Sequence, residues 1–331
     1  MYKRSKIIIL LTMFIVFFLI IAIVFQYEKK LDVMGNGTQI TCFSAKALNF
    51  NAYWLKNGSK FWNVKLLGIS KELLNPVGVL KSEKDNHIIF ISENIIKYYS
   101  IKEGYLNTHK LKKDEAIIST YISDIDDDTH DELLIITGKR NGDFGEKLMI
   151  FSFDNELEKI FVKTFKDMKP WKVQVSDVDG DKKKEISIGV YKESQFHPVK
   201  AKRPFIYNWH GDGISPKWRG SRLARPFEDY IFADIDRDGL DEIISIEVLK
   251  SGKKIINSYK WKGFGFEGMT ESKEYQDILW IDKIKSPGNK DIIVIKVKNE
   301  DKYEWVLLNH INEKLEAKGQ LKEYVPTFNI N

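Results

Sequence analysis

Three stretches of this chain superimpose without a gap: Asp124-Ile-Asp-Asp-Asp-Thr-His-Asp-Glu-Leu-Leu-Ile-Ile, Asp177-Val-Asp-Gly-Asp-Lys-Lys-Lys-Glu-Ile-Ser-Ile-Gly and Asp234-Ile-Asp-Arg-Asp-Gly-Leu-Asp-Glu-Ile-Ile-Ser-Ile. Their first aspartates lie 53 and 57 residues apart. Two degenerate copies flank them. Val79-Leu-Lys-Ser-Glu-Lys-Asp-Asn-His-Ile-Ile-Phe-Ile starts 45 residues before Asp124, and Asp282-Lys-Ile-Lys-Ser-Pro-Gly-Asn-Lys-Asp-Ile-Ile-Val-Ile starts 48 after Asp234. A short motif recurring at about 50 residues marks a repeat architecture.

Outward from each motif the sequence reads as strand. Trp171-Lys-Val-Gln-Val-Ser alternates in period two before the second copy, and Ile186-Ser-Ile-Gly-Val-Tyr follows it. Between copies lie two further runs joined by a turn, as in Leu148–Phe153, Asp154-Asn155 and Leu157–Val162, with comparable hairpins around Trp209 and Trp261. Four short strands per repeat describe a propeller blade, and no apolar spacing of 3.6 residues supports a helical solenoid. The five copies imply five blades over residues 76–320. A leftover hairpin, Ala52-Tyr-Trp-Leu, Asn57-Gly58, Lys60-Phe-Trp-Asn-Val-Lys-Leu-Leu, implies one more. Thr38–Phe43 and Tyr324–Ile330 would complete it by joining the two termini, which removes exposed sheet edges. The expected fold is therefore an all-β propeller of about six four-stranded blades over residues 38–331, with five or seven also compatible.

Composition narrows the class. With 43% apolar and 30% charged residues the chain is no disordered polymer, and its single cysteine, Cys42, excludes an intramolecular disulfide. Ile7–Phe25 carries no charge and only Thr12 as a polar residue, long enough as a helix for the roughly 30 Å hydrocarbon layer. Lys3, Arg4 and Lys6 precede it, which predicts a cytoplasmic tail (1–6), a transmembrane signal anchor (7–25), a linker (26–37) and an extracytoplasmic domain. The run ends in Val24-Phe25-Gln26-Tyr27-Glu28, without the small-residue site of a cleaved signal. Residues 1–30 hold four of the five net positive charges; the rest of the chain is close to neutral and carries no global signature of nucleic-acid binding.

Each intact motif places carboxylates at positions 1, 3, 5 and 9: Asp124, Asp126, Asp128 and Glu132; Asp177, Asp179, Asp181 and Glu185; Asp234, Asp236, Asp238 and Glu242. Such crowding is costly unless a cation joins them. Calcium, with six to eight oxygens in a flexible shell, suits these groups plus the position-7 carbonyl better than magnesium with its strict octahedron. EF-hand and dockerin-type loops open with the same spacing, but a helix and a Glu at position 12 should follow, and here strands follow. The motif resembles the FG-GAP or VCBS-type repeats of integrin alpha-subunit propellers and bacterial surface proteins. The resemblance implies that each loop joins two strands of a blade and binds Ca²⁺ through the residues just named. Position 6, usually Gly in that family, is Thr129 in the first loop, Lys182 in the second and Gly239 in the third. Asp234–Glu242 is thus expected to be the firmest site, and Asp177–Glu185, opposed by Lys182, Lys183 and Lys184, the weakest. The copy at Asp282 has Ile284 and Ser286 at positions 3 and 5 and is expected to have lost the ion.

His197–Pro226 carries seven basic residues against Asp212 alone. Lys200, Arg203, Lys217, Arg219, Arg222 and Arg225, with Trp209 and Trp218, could form a face for an anionic envelope polymer or a protein partner. The competing expectation is that the tryptophans pack between blades and the basic residues are solvated. No recognisable catalytic constellation accompanies this stretch; His197 and His210 are its only histidines. The leading expectation is a non-enzymatic binding or scaffold module at the membrane. A propeller enzyme acting on a glycan or phosphorylated substrate, and a sensor or assembly subunit of a membrane complex, are the alternatives.

Overall fold

The computed structural model describes the backbone of residues 24–32, 39–47, 50–57 and 64–70, and backbone and side chains of 74–285, 290–300 and 302–321. The described chain is all-β apart from one 3-10 turn, Lys166–Met168. Its strands form six four-stranded antiparallel sheets in simple meander order. The first sheet is β1 (Val24–Asp32), β2 (Gln39–Ala47), β3 (Phe50–Asn57) and β4 (Val64–Ser70). The second is β5 (Asn75–Lys81), β6 (Asn86–Ser92), β7 (Ile95–Ser100) and β8 (Leu106–Lys110). The third is β9 (Glu115–Ser123), β10 (Glu132–Lys139), β11 (Gly145–Phe153) and β12 (Leu157–Thr164). The fourth is β13 (Pro170–Ser176), β14 (Glu185–Ser194), β15 (His197–Trp209) and β16 (Ile214–Trp218). The fifth is β17 (Phe227–Ala233), β18 (Glu242–Val248), β19 (Lys254–Trp261) and β20 (Phe266–Glu271). The sixth is β21 (Asp277–Lys285), β22 (Asp291–Asn299), β23 (Lys302–Ile311) and β24 (Lys314–Leu321).

The fold is a β-propeller. Its five blades β5–β8 through β21–β24 correspond to the five motif copies, and β1–β4 adds a four-stranded sheet upstream. That first sheet differs from the expected mixed blade. Its four strands all come from residues 24–70, so residues 26–32 of the stretch read as a linker, 26–37, lie in β1. Phe25, Tyr27 and Leu31 fall in one phase of an alternation with Gln26, Glu28, Lys30 and Asp32, which Lys29 interrupts. Tyr324–Ile330 lies outside the described residues. So does the apolar run Ile7–Phe25, save Val24 and Phe25, which open β1. Among the described residues no helix is long and apolar enough to cross a membrane.

The chain divides into two compact units, Met1–Val79 with Asp85–Lys110, and Leu80–Lys84 with Leu111–Asn331. The first has a small core in which Leu74, Ile88, Phe90 and Tyr99 are buried together. The second holds β9–β24, and its cores lie between successive sheets. Leu134, Ile136, Leu148 and Ile150 of one blade meet Val173, Val175, Ile186 and Ile188 of the next. The following seam joins Trp171 and Ile206 to Tyr230, Phe232 and Ile243, and the last joins Ile244 and Ile256 to Ile281, Ile293 and Ile295. The second strand of each blade is therefore covered on both faces. This is why Leu133–Ile136 and Ile243–Ile246 read as unbroken buried runs, whereas the fourth strand β12 is exposed at most positions.

The acidic loops join the first and second strands of three blades and also fasten blade to blade. At position 2, Ile125, Val178 and Ile235 insert into the three successive seams. Position 8 reaches the other way, to the preceding blade. Asp241 N–H donates to the Asp177 carbonyl at 2.8 Å, and its carboxylate accepts the Asp177 N–H at 3.1 Å. Asp131 makes the same reciprocal pair with Lys81, and Asp291 with Asp234. Where position 8 is Lys184, its ammonium donates to the Asp124 carbonyl at 2.7 Å instead. Losing an acceptor for a partly buried amide costs about 1–3 kcal/mol. Asp241→Ala should therefore lower stability to urea by about that amount, whereas Asp241→Asn, which keeps the acceptor oxygen, should lie close to wild type. Equal urea midpoints for the Ala variant and wild type would refute the clasp.

Candidate metal centres

The three loops share one backbone course. Positions 4 and 6 are left-handed in all: Asp127 and Thr129 (φ 64° and 75°), Gly180 and Lys182 (76° and 66°), Arg237 and Gly239 (70° and 87°). Only glycine adopts this without strain, and the β-branched Thr129 is the least suited. The aspartate at position 1 holds the turn. Asp124 accepts N–H bonds from Asp127 and Thr129 at 2.8 and 3.0 Å, Asp177 from Gly180 and Lys182 at 2.7 and 3.1 Å, and Asp234 from Arg237 and Gly239 at 2.7 and 3.2 Å. The position-9 glutamate, the first residue of the second strand, is buried. One oxygen of Glu132, Glu185 and Glu242 accepts the position-2 N–H at 3.0, 3.1 and 3.1 Å.

This geometry brings together three of the four expected carboxylates per loop. In Asp124/Asp126/Glu132, Asp177/Asp179/Glu185 and Asp234/Asp236/Glu242, one oxygen from each residue lies within 4.8 Å of the other two. The position-5 residues fall outside these groups. Asp128, Asp181 and Asp238 accept the position-7 N–H at 2.7, 2.8 and 3.0 Å, closing a side-chain turn, and Asp128 also faces His130 Nδ1 at 3.3 Å. Three hard oxygen donors fit calcium, whose remaining positions backbone carbonyls and water can fill.

The loops differ in what balances their charge. Lys260 Nζ lies 2.5 Å from Asp236, against Asp238, and 3.3 Å from Glu242. Lys217 Nζ lies against Asp179 and 2.5 Å from Glu185. Burial alone would pull both ammonium groups down, but the carboxylates they touch hold them above the ordinary lysine range. Among the described residues no lysine or arginine forms an ion pair with the carboxylates of Asp124, Asp126 or Glu132, although Lys184 Nζ lies 2.7 Å from the Asp124 carbonyl. There burial, reinforced by Asp126, Asp128 and Asp124 against one opposing backbone N–H, pushes the Glu132 carboxyl up to about 8. Lys217 rather than Lys182, Lys183 or Lys184 thus faces the carboxylates of Asp177–Glu185. Burial nonetheless pushes Glu242 up to about 8 as well, Lys260 offsetting only part of it. A cavity of about 700 Å³ lies between the Asp124 and Asp177 loops, lined by Asp126 and Asp127 of the first, by Asp179, Asp181 and Glu185 of the second, and by Lys217 and Trp209.

The basic stretch does not form one face. Arg203 is wholly buried and donates to the carbonyls of Lys192, His197 and Val199 at 2.9, 3.1 and 2.8 Å, tying the β14–β15 hairpin. Lys217 sits in the second acidic loop. Arg225 bridges Glu247 and Glu271 at 3.1 and 2.7 Å. Trp218 packs edge-on against Phe266 and Trp209 against Phe161, as the packing expectation had it. His197 Nδ1 lies 3.2 Å from Arg203, and His210 Nε2 bonds Ser215 at 2.7 Å. Lys200, Arg219 and Arg222 remain exposed. A different aromatic surface emerges where first strands of successive blades begin. A cavity of about 540 Å³ is walled there by Phe144, Trp171 and Trp280, with Lys202, Glu228 and Asp229 among the polar groups. Lys202 Nζ stands 4.1 Å above the Trp171 ring, and burial lowers its pKa.

The Glu132 shift carries a pH dependence. Its folded pKa, about 8, exceeds its ordinary value of 4.5, so between these values the native chain holds a proton that the unfolded chain has released. This contribution is full below about 4.5 and is lost as pH rises through about 8. Glu242, also pushed up to about 8, adds a second contribution of the same sign, so in chelator the urea midpoint should fall from pH 5 to pH 8.5, and Glu132→Gln and Glu242→Gln should each remove part of that decline. A midpoint that rises over this range would contradict the assignment.

Neither a family model nor a curated relative matches the chain. Solved structures do. A protein provisionally assigned as a 6-phosphogluconolactonase from Bacteroides uniformis superimposes with a TM-score of 0.49 at 11% identity, over 88% of this chain and 84% of that one. Its counterpart from Bacteroides fragilis gives 0.50 at 11%, over 87% and 82%. Saccharomyces cerevisiae Sqt1 gives 0.54 at 10%, over 90% and 77%. At such identity the likeness concerns the fold alone.

Proposed function

We propose that this chain is a calcium-binding propeller of the FG-GAP/VCBS type, held at the cell membrane by Ile7–Phe25 with its C-terminal domain outside the cytoplasm. In this reading it acts as a non-enzymatic binding module for an envelope polymer or protein partner. The observation that carries the proposal is the recurrence of one Asp-Asp-Glu triad at the same point of three successive blades. Evenly placed triads of hard donors suit an ion that stiffens each hairpin where it meets its neighbours. The rigid frame would leave the aromatic cavity around Trp171 as the ligand surface. Trp and Phe faces suit sugar rings, and the Lys202 ammonium suits a carboxylate or phosphate on the same polymer.

Calcium bound only by the folded chain adds RT ln(1 + [Ca²⁺]/Kd) to its stability, about 2.7 kcal/mol at a hundredfold excess over Kd. Millimolar calcium should therefore raise the melting temperature measured in chelator, and magnesium at the same concentration should raise it less. A melt indifferent to calcium would remove the metal from the proposal. For the binding role, retention of the chain by an anionic envelope glycan should weaken in Lys202→Met. Equal retention of the variant and wild type would place the ligand elsewhere. Digestion of the C-terminal domain by protease added to intact cells tests the orientation.

A further inference from the structure

We infer that Lys217 and Lys260 are built-in counter-cations that close two of the three acidic loops to calcium, leaving Asp124–Glu132 as the loop that takes the ion. The inference rests on the calcium reading above and adds which loops are open and which residues decide it.

Strand register supplies the argument. Position 10 of each loop faces an equivalent residue on the third strand: Leu133 faces Phe151, Ile186 faces Tyr207 and Ile243 faces Tyr259. One residue further along the third strand, the three blades carry Ser152, Asn208 and Lys260. A second equivalence lies on the fourth strand. Each blade has a bulge there, between Ile150 and Phe151, Ile206 and Tyr207, or Ser258 and Tyr259. The extra residues opposite are Ile160, Lys217 and Met269. Two positions in each blade can thus aim a side chain at the triad. The Asp177 blade fills one with lysine, the Asp234 blade fills the other, and the Asp124 blade fills neither. An ammonium thus reaches the equivalent triad of two blades from two different strands, which marks this point of the blade as one that draws positive charge.

The two occupants exclude each other. Calcium needs six to eight oxygens at about 2.3–2.6 Å. Lys260 Nζ already stands within 3.3 Å of three carboxylates, and Lys217 Nζ contacts two. Both lysine side chains are largely buried, at 16% and 13% exposure, so the ammonium is tethered in place at any calcium concentration. In the Asp124 blade the two positions hold a hydroxyl and an exposed isoleucine, so neither supplies an ammonium to compete with an ion.

Calorimetric titration of the purified full-length chain with calcium alone measures the stoichiometry. Wild type should bind one ion, Glu132→Gln none, and Lys217→Gln and Lys260→Gln two each. Conversely, Ser152→Lys or Ile160→Lys should close the remaining loop. In chelator, Lys260→Gln should melt below wild type, and calcium should restore it, a rescue that loss of packing alone would not show. Three ions per wild-type chain would overturn the inference while leaving the calcium reading intact. So would a single site unaffected by Glu132→Gln. No binding by wild type or any variant would overturn the calcium reading and this inference with it. If Glu132→Gln fails to fold, loss of the single site in Ser152→Lys or Ile160→Lys places it in this loop, and its survival in both overturns the inference.

Discussion

Everything about the loops follows from one electrostatic constraint. Three carboxylates whose oxygens lie within 4.8 Å of one another cannot all ionise in a partly buried hairpin without a compensating positive group. Backbone N–H groups meet part of the demand: positions 4 and 6 donate to the first aspartate, and position 2 to the glutamate. These bonds fix the left-handed turns and present the remaining oxygens at one point. What stands at that point differs by blade. A lysine from the third strand serves one loop, a lysine from the fourth serves another, and in the Asp124 loop neither position supplies one. Repeats that share a backbone course have thus diverged in how they settle the same charge.

The same loops connect electrostatics to packing. Position 2 enters the seam with the next blade, and position 8 clasps the blade before. Each acidic turn is therefore a joint between neighbours, and its rigidity is felt across the junction. The clasp has also tolerated a change of chemistry. Lys184 replaces an aspartate yet still reaches the preceding loop, donating to the Asp124 carbonyl where its counterparts exchange backbone bonds. What the joint requires is a hydrogen bond between adjacent turns, and residue identity is secondary to that.

The architecture was legible because its signal is periodic. Motif spacing, strand alternation and turn residues all report local preferences, and they located the five blades and the hairpins between them. The carboxylates at positions 1, 3 and 9 were legible for the same reason, being close in sequence. Three things were not. The position-8 clasp joins residues 50 to 64 apart, as in Lys81 with Asp131 and Asp177 with Asp241, although the Asp-Glu pairs of the first and third motifs were a signal in plain view. The resident lysines come from strands distant in sequence, so the loop's own residues cannot announce them. The basic stretch misled because composition records charge and is silent on direction. Arg203 turns inward to carbonyls, Arg225 to glutamates and Lys217 to an acidic loop, so a run of like charges dissolves into separate ion pairs.

These differences between loops bear on where a cation would matter. The Asp124 loop lies at the seam between the β9–β12 and β13–β16 blades, where Ile125 packs among Val173, Val175 and Ile186. The Asp124 carbonyl there already accepts Lys184 from the neighbouring blade. An ion at this loop would fix the turn whose second residue plugs that seam, beside the cavity between the two loops that Trp209 helps to line. The other two seams have their counter-charge supplied covalently, through lysine side chains that cannot leave. On the proposed assignment, sensitivity to calcium would be confined to one joint, so removing the ion would loosen a single blade boundary while the packed strands on either side keep their cores.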